Sequence, residues 1–532
     1  MASLTSLLSE PTLIGLLCAL FLLFILYVSM GPKKSTLNFP PGPSPLPIIG
    51  NLHLLDIRRQ DLSLMKIAEK YGPVFTVHFG LQKAVVLTGY EVVKEALLNT
   101  ADVFADRPAI PIFYHIQNGN GVFFSSGELW KTTRRFTMAT MRDLGMGKKL
   151  IEGRILEELH FLIEMIKSFN SELSEPFKLR SFNTAPTNIT FAMLFGNRFD
   201  YKDPVFALYT LEVRVNSRDE TLVMYHLATH IDSFSIVTLG FYYIISTSNF
   251  CFNLFQLFNF YPFLGFLFKP HKMILRKVEE VCVVLRKYIK TSRKDVDENN
   301  LRSYIDALLF KQQEEKNKSN SLFHDANVLA STLDLVMAGT ETTSTTLQWA
   351  ILLMMKYPEI QGKVYAEIDR VLEPGCLPTF EARKNMPFTN AVIHEVQRFV
   401  TLLPHVPRCT SVNTNFKGYF IPKGTTVIPL LTSVLLDKTQ WETPYQFNPN
   451  HFLDADGKFV KKDAFLPFST GRRNCIGESL AKMELFLFFT GLLQKFTFLP
   501  PAGVTESDLD TVAEAGFTMR PRPQSARAVQ RQ

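Results

Sequence analysis

Near its C-terminus the chain carries Phe468-Ser469-Thr470-Gly471-Arg472-Arg473-Asn474-Cys475-Ile476-Gly477. A cysteine stands between two glycines, with an arginine two residues before it and a phenylalanine seven before it. Each residue type brings its own chemistry. A cysteine thiolate is a soft anionic ligand. An arginine is a permanent charge whose planar fork of donors suits a carboxylate. Gly471 and Gly477, lacking side chains, let the backbone pass close to something large and flat. A free cysteine is by default a small buried hydrophobe, and the flanking residues set Cys475 apart from that default. Together they are what a haem requires on the face where a thiolate meets its iron.

Three other constellations could do chemistry or brace it. Ala338-Gly339-Thr340-Glu341-Thr342-Thr343 lies inside a long helical stretch. A helix interior does not favour glycine or clustered threonine, and a threonine hydroxyl can bond back to a carbonyl and bend the helix. Glu395-Val396-Gln397-Arg398 sets opposite charges three residues apart, ordinarily a surface pair worth a few tenths of a kcal/mol. Trp130 and Arg134, four residues apart in Trp130-Lys131-Thr132-Thr133-Arg134, share one helix face.

The cysteine run resembles the haem-binding loop of the cytochrome P-450 monooxygenases, F-x-x-G-x-R-x-C-x-G. The helical run resembles that family's (A/G)-G-x-(D/E)-T-(T/S). Phe199-Asp200-Tyr201-Lys202-Asp203 and Phe260-Tyr261-Pro262 resemble landmarks of the second P-450 family of animals. The similarity covers about residues 40–212 and 250–525. It implies that Cys475 ligates the iron of haem b, with no flavin bound to the chain, and that Phe468 and Gly471 shape the loop. It implies that Trp130, Arg134, Arg473, Arg107 (in Phe104-Ala105-Asp106-Arg107-Pro108) and His405 (in Leu403-Pro404-His405) reach the haem propionates. Thr342 with Glu341 would be the proton relay, beside a helix kink that makes room for dioxygen. Glu395 and Arg398 would form a buried structural triad with His451, where an arginine is more usual. An apolar pocket would be lined by residues of Ile110 to Phe124, including Phe113 and Phe123, and by Leu335, Ala338, Val406 and Phe517.

The implied activity is insertion of one oxygen atom from dioxygen into an apolar organic substrate: a fatty acid, steroid, eicosanoid or foreign compound. Electrons would come from NADPH-cytochrome P-450 reductase, with a microsomal b-type cytochrome as a further candidate donor. The reductase would dock on the cysteine-loop face, where Lys131, Arg134, Arg135, Arg472 and Lys482 would cluster. Two rival readings are a peroxide isomerase and a haem sensor. The intact Glu341-Thr342 pair argues against the isomerase, which needs no proton relay. A sensor would leave that pair, the pocket and the N-terminal anchor unexplained.

These residues need a frame. The chain has 532 residues, 46% hydrophobic and 20% charged, enough for one large core. Cys18, Cys251, Cys282, Cys376, Cys409 and Cys475 are scattered without a CxxC pair, which argues against a zinc site or a disulfide framework. A net charge of +7 with no basic tract is a poor basis for nucleic-acid binding. Pro11 to Pro32 contains no charged residue and is long enough to span a bilayer as a helix. Lys33 and Lys34 follow it directly, which keeps that side cytoplasmic. The expectation is a single anchor over 1–32 in the endoplasmic reticulum membrane, with a cytosolic catalytic domain. Residues 33–50 form a basic and proline-rich hinge, stiffened by Pro40-Pro41-Gly42-Pro43-Ser44-Pro45-Leu46-Pro47, and 51–532 the haem-thiolate domain.

That domain is expected to be mostly α with small β-sheets, the haem lying between a long central helix and the cysteine loop. Asp325 to about Lys356 is that helix, N-capped by Asp325 and stopped at Tyr357-Pro358. Further helices are expected over Glu91–Leu98, Pro358–Leu372, Thr389–Val400 and Glu478–Gln494, and strands over Phe75–Phe79, Ala84–Leu87 and Thr425–Leu430. Residues 213–249 form an atypical apolar insertion relative to the family pattern. It is either an added membrane-dipping helix or non-coding sequence read through. The second is preferred, because nothing in the family's architecture calls for the first.

Overall fold

The computed structural model describes residues 38–56, 58–172, 176–201, 258–266, 270–514, 516 and 518–531, with six isolated positions between 14 and 22. Most of the expected anchor, the insertion at 213–249 and Phe517 lie outside the described residues. Among the described residues no helix is long and apolar enough to cross a membrane.

The helices that frame the site are α1 (Gln60–Tyr71), α2 (Tyr90–Lys94), α3 (Pro111–Gln117), α4 (Gly127–Asp143), α5 (Lys149–Glu172), α6 (Thr184–Phe195), α7 (Pro270–Ser292), α8 (Tyr304–Glu314), α9 (Asp325–Lys356), α10 (Pro358–Val371), α11 (Pro387–Val400), α12 (Leu431–Leu435) and α13 (Glu478–Lys495). The strands are β1 (Val74–Phe79), β2 (Gln82–Leu87), β3 (Phe177–Lys178), β4 (Arg408–Cys409), β5 (Thr414–Phe416), β6 (Tyr419–Ile421), β7 (Thr426–Pro429), β8 (Phe496–Leu499), β9 (Ala513–Glu514), β10 (Arg520–Pro521) and β11 (Ser525–Gln530). They make a four-stranded sheet β1-β2-β7-β4, a three-stranded sheet β3-β11-β8 and the pairs β5-β6 and β9-β10.

The long helix is the axis. At 1.5 Å per residue, α9 runs about 48 Å. Its C-terminal half is buried on every side, from Thr343 to Met355, and becomes apolar from Trp349 to Met355, as befits a helix inside a large core. Phe486, Phe488 and Leu492 of α13 and Ile189 of α6 belong to the same core cluster. Gly339 permits the approach of α6, because a Cβ there would run into the Thr190 side chain. Tyr357 leaves the helical conformation and Pro358 opens α10, with the proline in its first turn, as the sequence predicts. The start differs by one residue. His324 is the N-cap, its Nδ1 accepting from the Asn327 N–H at 3.3 Å, while Asp325 is already helical and pairs with Arg293 at 2.6 Å.

Candidate active site

The cysteine loop is fixed by its backbone. Ser469 and Gly471 take positive φ values of 57° and 76°, and a Cβ on Gly471 would strike the Leu97 carbonyl. A short 3-10 turn, Gly471–Arg473, follows, and the Cys475 N–H donates to the Phe468 carbonyl at 3.0 Å. Cys475 therefore stands just before the first turn of α13. Its sulfur lies deep inside the protein yet is accessible, because it opens into an internal cavity rather than onto the outer surface. Burial pushes its thiol up to about 11, against the Gly477 N–H, which favours the thiolate. A metal cation at the sulfur reverses that balance, since a coordinating thiol is deprotonated.

Around this loop the chain gathers buried positive charge. Arg134 on α4 donates to the Asn474 carbonyl and to its Oδ1, each at 2.7 Å. Arg473 donates to the carbonyls of Ala105 at 2.7 Å and Ser125 at 2.6 Å, and its guanidinium lies 3.8 Å over the Trp130 ring. Arg107 donates to the carbonyls of Phe123 at 2.9 Å and Pro407 at 2.6 Å. The sequence reading had no place for Arg408 on β4. It is 1% exposed, donates to Ser469 Oγ at 3.3 Å and leaves Nη1 without a partner.

Burial first, and then mutual repulsion, pushes these guanidiniums down: Arg473 to about 8, Arg408 to about 9, and Arg107 well below its ordinary value. Arginine does not give up its proton in proteins, so the push measures missing negative charge. Two further donors nearby, Trp130 Nε1 and His405 Nδ1, are buried without partners. Among the described residues, Asp106 and Asp334 act on Arg473, and Asp334 on Arg107, from the acidic side. The donors and charges fit a large flat group bearing two carboxylates, which is the form of haem with its propionates.

Opposite the loop, α9 forms the other wall of a cavity of about 260 Å³, lined by Phe123, Leu335, Ala338, Thr342, Val406, Phe468 and Cys475 among others. Arg107, Arg134, Arg473 and Glu341 also reach it. Phe113 stacks on Phe124 with ring centroids 3.8 Å apart and is not part of the lining. The helix stays α-helical through this stretch. Thr342 Oγ1 donates to the Ala338 carbonyl at 2.8 Å, the back-bond expected of such a threonine. Glu341 turns elsewhere: its Oε1 accepts from Thr345 Oγ1 at 3.0 Å, Thr518 Oγ1 at 2.6 Å and Arg520 Nε at 2.5 Å.

Two more buried acids belong to this region, and neither was picked out from sequence. Asp334, one turn before Ala338, accepts from the N–H groups of Val122 at 2.7 Å and Phe123 at 2.9 Å and from Gln117 Nε2 at 2.6 Å. It pins the 117–124 loop onto α9, and burial still pushes it up to about 6. Glu484 on α13 lines the cavity, leaves Oε1 unpartnered and is pushed by burial up to about 8, against a Thr343 hydrogen bond.

Behind the loop, Arg398 grips Glu395 through Nε at 2.7 Å and Nη2 at 2.6 Å. Both are fully buried. Arg398 also donates to the carbonyls of Leu435 at 2.9 Å, Pro444 at 2.8 Å and Gln446 at 2.9 Å, tying α11 to the segment before the loop. His451 is the third member. Its Nε2 meets Thr443, 2.9 Å from the hydroxyl and 3.2 Å from the N–H, and its Nδ1 faces Glu395 Oε2 at 3.2 Å. An imidazole stands at the third position of the triad, in contact with Glu395.

A family model for cytochrome P450 matches residues 40–527. The chain belongs to the cytochrome P450 family. It is 51% identical over 518 residues to cytochrome P450 2W1 of Homo sapiens, covering 97% of each chain. It is 43% identical over 528 residues to cytochrome P450 2K1 of Oncorhynchus mykiss, covering 98% of each. To cytochrome P450 2J2 of Homo sapiens it is 41% identical over 501 residues, covering 94% of this chain and 92% of the relative. This P450 is thus a haem-thiolate monooxygenase of the EC 1.14.14 type, with haem b as cofactor, no flavin of its own, an external redox partner and an apolar substrate.

Proposed function

We propose that this P450 is anchored in the endoplasmic reticulum membrane, takes electrons from NADPH-cytochrome P450 reductase and oxygenates an apolar lipid or foreign compound. The observation that carries the reading is the cavity itself, with Cys475 on one wall and Thr342 on the other. Cys475 would hold the iron. Arg107, Arg134, Arg473, Trp130 and His405 would hold the propionates, with Arg408 as an added cation. When bound, the haem would supply the activation of dioxygen, with the Cys475 thiolate as its protein ligand.

The chain's own residues then have separable tasks. Phe123, Leu335, Ala338 and Val406 exclude water and seat an apolar substrate. Asp334 holds the loop that bears Phe123. Thr342 Oγ1 offers a hydroxyl at the cavity wall, with Glu341 as the acidic group that supplies it with protons. Membrane attachment is supported by a second feature. Ile48 and Ile49 of the hinge and Phe263 and Phe266 are exposed, and the Tyr261 hydroxyl ties the two segments by donating to the Ile48 carbonyl at 2.7 Å. An exposed apolar patch of this kind marks an interaction surface.

The reading is tested by reconstituting the full chain with the reductase in vesicles and profiling products against a lipid and drug panel. Oxygenated product that requires both NADPH and reductase is expected. Product formed without either, or none with any substrate, overturns it.

A further inference from the structure

Glu341 was expected to stand with Thr342, but its carboxylate is bound to the C-terminal hairpin. Thr518 and Arg520 are two residues apart in extended chain, so both side chains project to one face, and both meet Glu341. Met519 between them locks the segment to the core. Its N–H donates to the Leu402 carbonyl at 2.9 Å, and its carbonyl accepts from Trp349 Nε1 at 2.8 Å. Every one of these contacts to Glu341 falls on Oε1. Glu341 also lines the cavity, while the Arg520 side chain is 13% exposed. A single carboxylate therefore spans the wall between the cavity and a hairpin that reaches solvent.

We propose that Arg520 is a positioning residue for the proton relay, fixing the Glu341 carboxylate in the wall, and that protons enter the cavity from the β9-β10 hairpin side past this ion pair. The inference rests on the monooxygenase reading and adds to it the group that orients the acid and the side from which protons come. A permanently charged guanidinium cannot itself pass a proton at neutral pH. Its part is to hold the carboxylate by charge-assisted hydrogen bonds. Glu341 and Thr342 both line the cavity, so a proton brought to the held carboxylate reaches the wall that bears the hydroxyl. Other charged groups on the cavity wall are Arg107, Arg134, Asp334, Arg473 and Glu484, and among the described residues none is hydrogen-bonded to Glu341.

The test uses the full chain reconstituted with reductase. Product and peroxide per NADPH and the solvent deuterium isotope effect on product formation are measured for Arg520→Gln, Arg520→Lys, Glu341→Gln and the double variant Glu341→Gln/Arg520→Gln. Arg520→Gln is expected to lower product per NADPH roughly threefold or more, with peroxide rising, and to change the isotope effect. Arg520→Lys should restore most of the loss. The double variant should match Glu341→Gln alone, because Arg520 acts only through the acid.

Unchanged coupling in Arg520→Gln, or losses that simply multiply in the double variant, overturns the proposal. The reduced carbon-monoxide spectrum and the thermal midpoint separate these effects from misfolding. If Arg520→Gln does not fold, Thr518→Val removes one donor while keeping the charge. A smaller fall in coupling is then expected, and no fall overturns the assignment. Wild-type protein that makes no product overturns the monooxygenase reading and this inference together, whereas an active wild type with an indifferent Arg520 overturns the inference alone.

Discussion

Arg408 shows what the sequence conceals at the scale of one residue. Arg473 stands two positions before Cys475 and is read with it; Arg408 is 67 positions upstream of Cys475. In a chain of residues it is one more strand charge. Only the pairing of β4 with β7 and the contact with Ser469 bring it to the loop, where it is buried with Nη1 unpartnered. A buried, unpaired donor on a cation is costly unless an anion arrives. Arg408→Gln is therefore expected to release haem to apomyoglobin several-fold faster and to shift the reduction potential to more negative values. Equal haem transfer and potential would remove Arg408 from the propionate set. Cys475, by contrast, is legible outright. Cys475→Ser is expected to lose the red-shifted carbon-monoxide band of thiolate-ligated haem, and retention of that band would mean that another residue is the ligand. Thr342→Ala should keep NADPH consumption while diverting it from product to peroxide, and unchanged product per NADPH would exclude the hydroxyl from the relay.

At the scale of elements, α9 and α13 were readable because their signals are local. Pro358, Gly477 and long apolar runs mark their ends and interiors. The 117–124 loop and the β9-β10 hairpin have no such signal. Their placement depends on Asp334 and Glu341, which accept hydrogen bonds from residues far away in the chain. Acids buried along helices also set a pH dependence. Glu484 is raised from its ordinary value of 4.5 to about 8 and Asp334 from 3.8 to about 6. In the unfolded chain both ionise near pH 4. In the folded chain they remain protonated up to those higher values. Their contribution is thus fully present below pH 4 and is lost as pH rises through about 6 for Asp334 and about 8 for Glu484. Glu484→Gln removes the larger of these penalties. Its thermal midpoint relative to wild type should rise between pH 5 and pH 8, by the equivalent of on the order of 3 kcal/mol. A difference that is the same at both pH values would show that the carboxyl is already ionised in the fold.

For the whole molecule, the question is which face meets the electron donor. Charge counting from sequence set Lys131, Arg135, Arg472 and Lys482 together as the free cations of the cysteine-loop face. The structure divides them. Arg472 pairs with Asp102 at 2.9 Å and Lys482 with Glu478 at 2.6 Å, so much of their field is cancelled locally. Lys131 and Arg135 are both exposed on α4, and among the described residues neither has an ion-pair partner. They lie on the helix that also carries Arg134 to Asn474, beside the ligand cysteine. An acidic partner guided there would be held close to the sulfur side of the cavity, and such steering acts on association and fades with salt. Reversal of both charges, Lys131→Glu with Arg135→Glu, is expected to slow the first electron from the reductase about tenfold at low ionic strength. The difference should shrink toward that of wild type above ~0.15 M salt, where the screening length is about 8 Å. Substrate-binding spectra should not change, since neither residue lines the cavity. Arg472→Gln, which removes a cation already paired with Asp102, should slow transfer less. Stopped-flow reduction across a salt series decides the matter: a first-electron rate in the double variant equal to wild type at low salt would move the docking face away from α4.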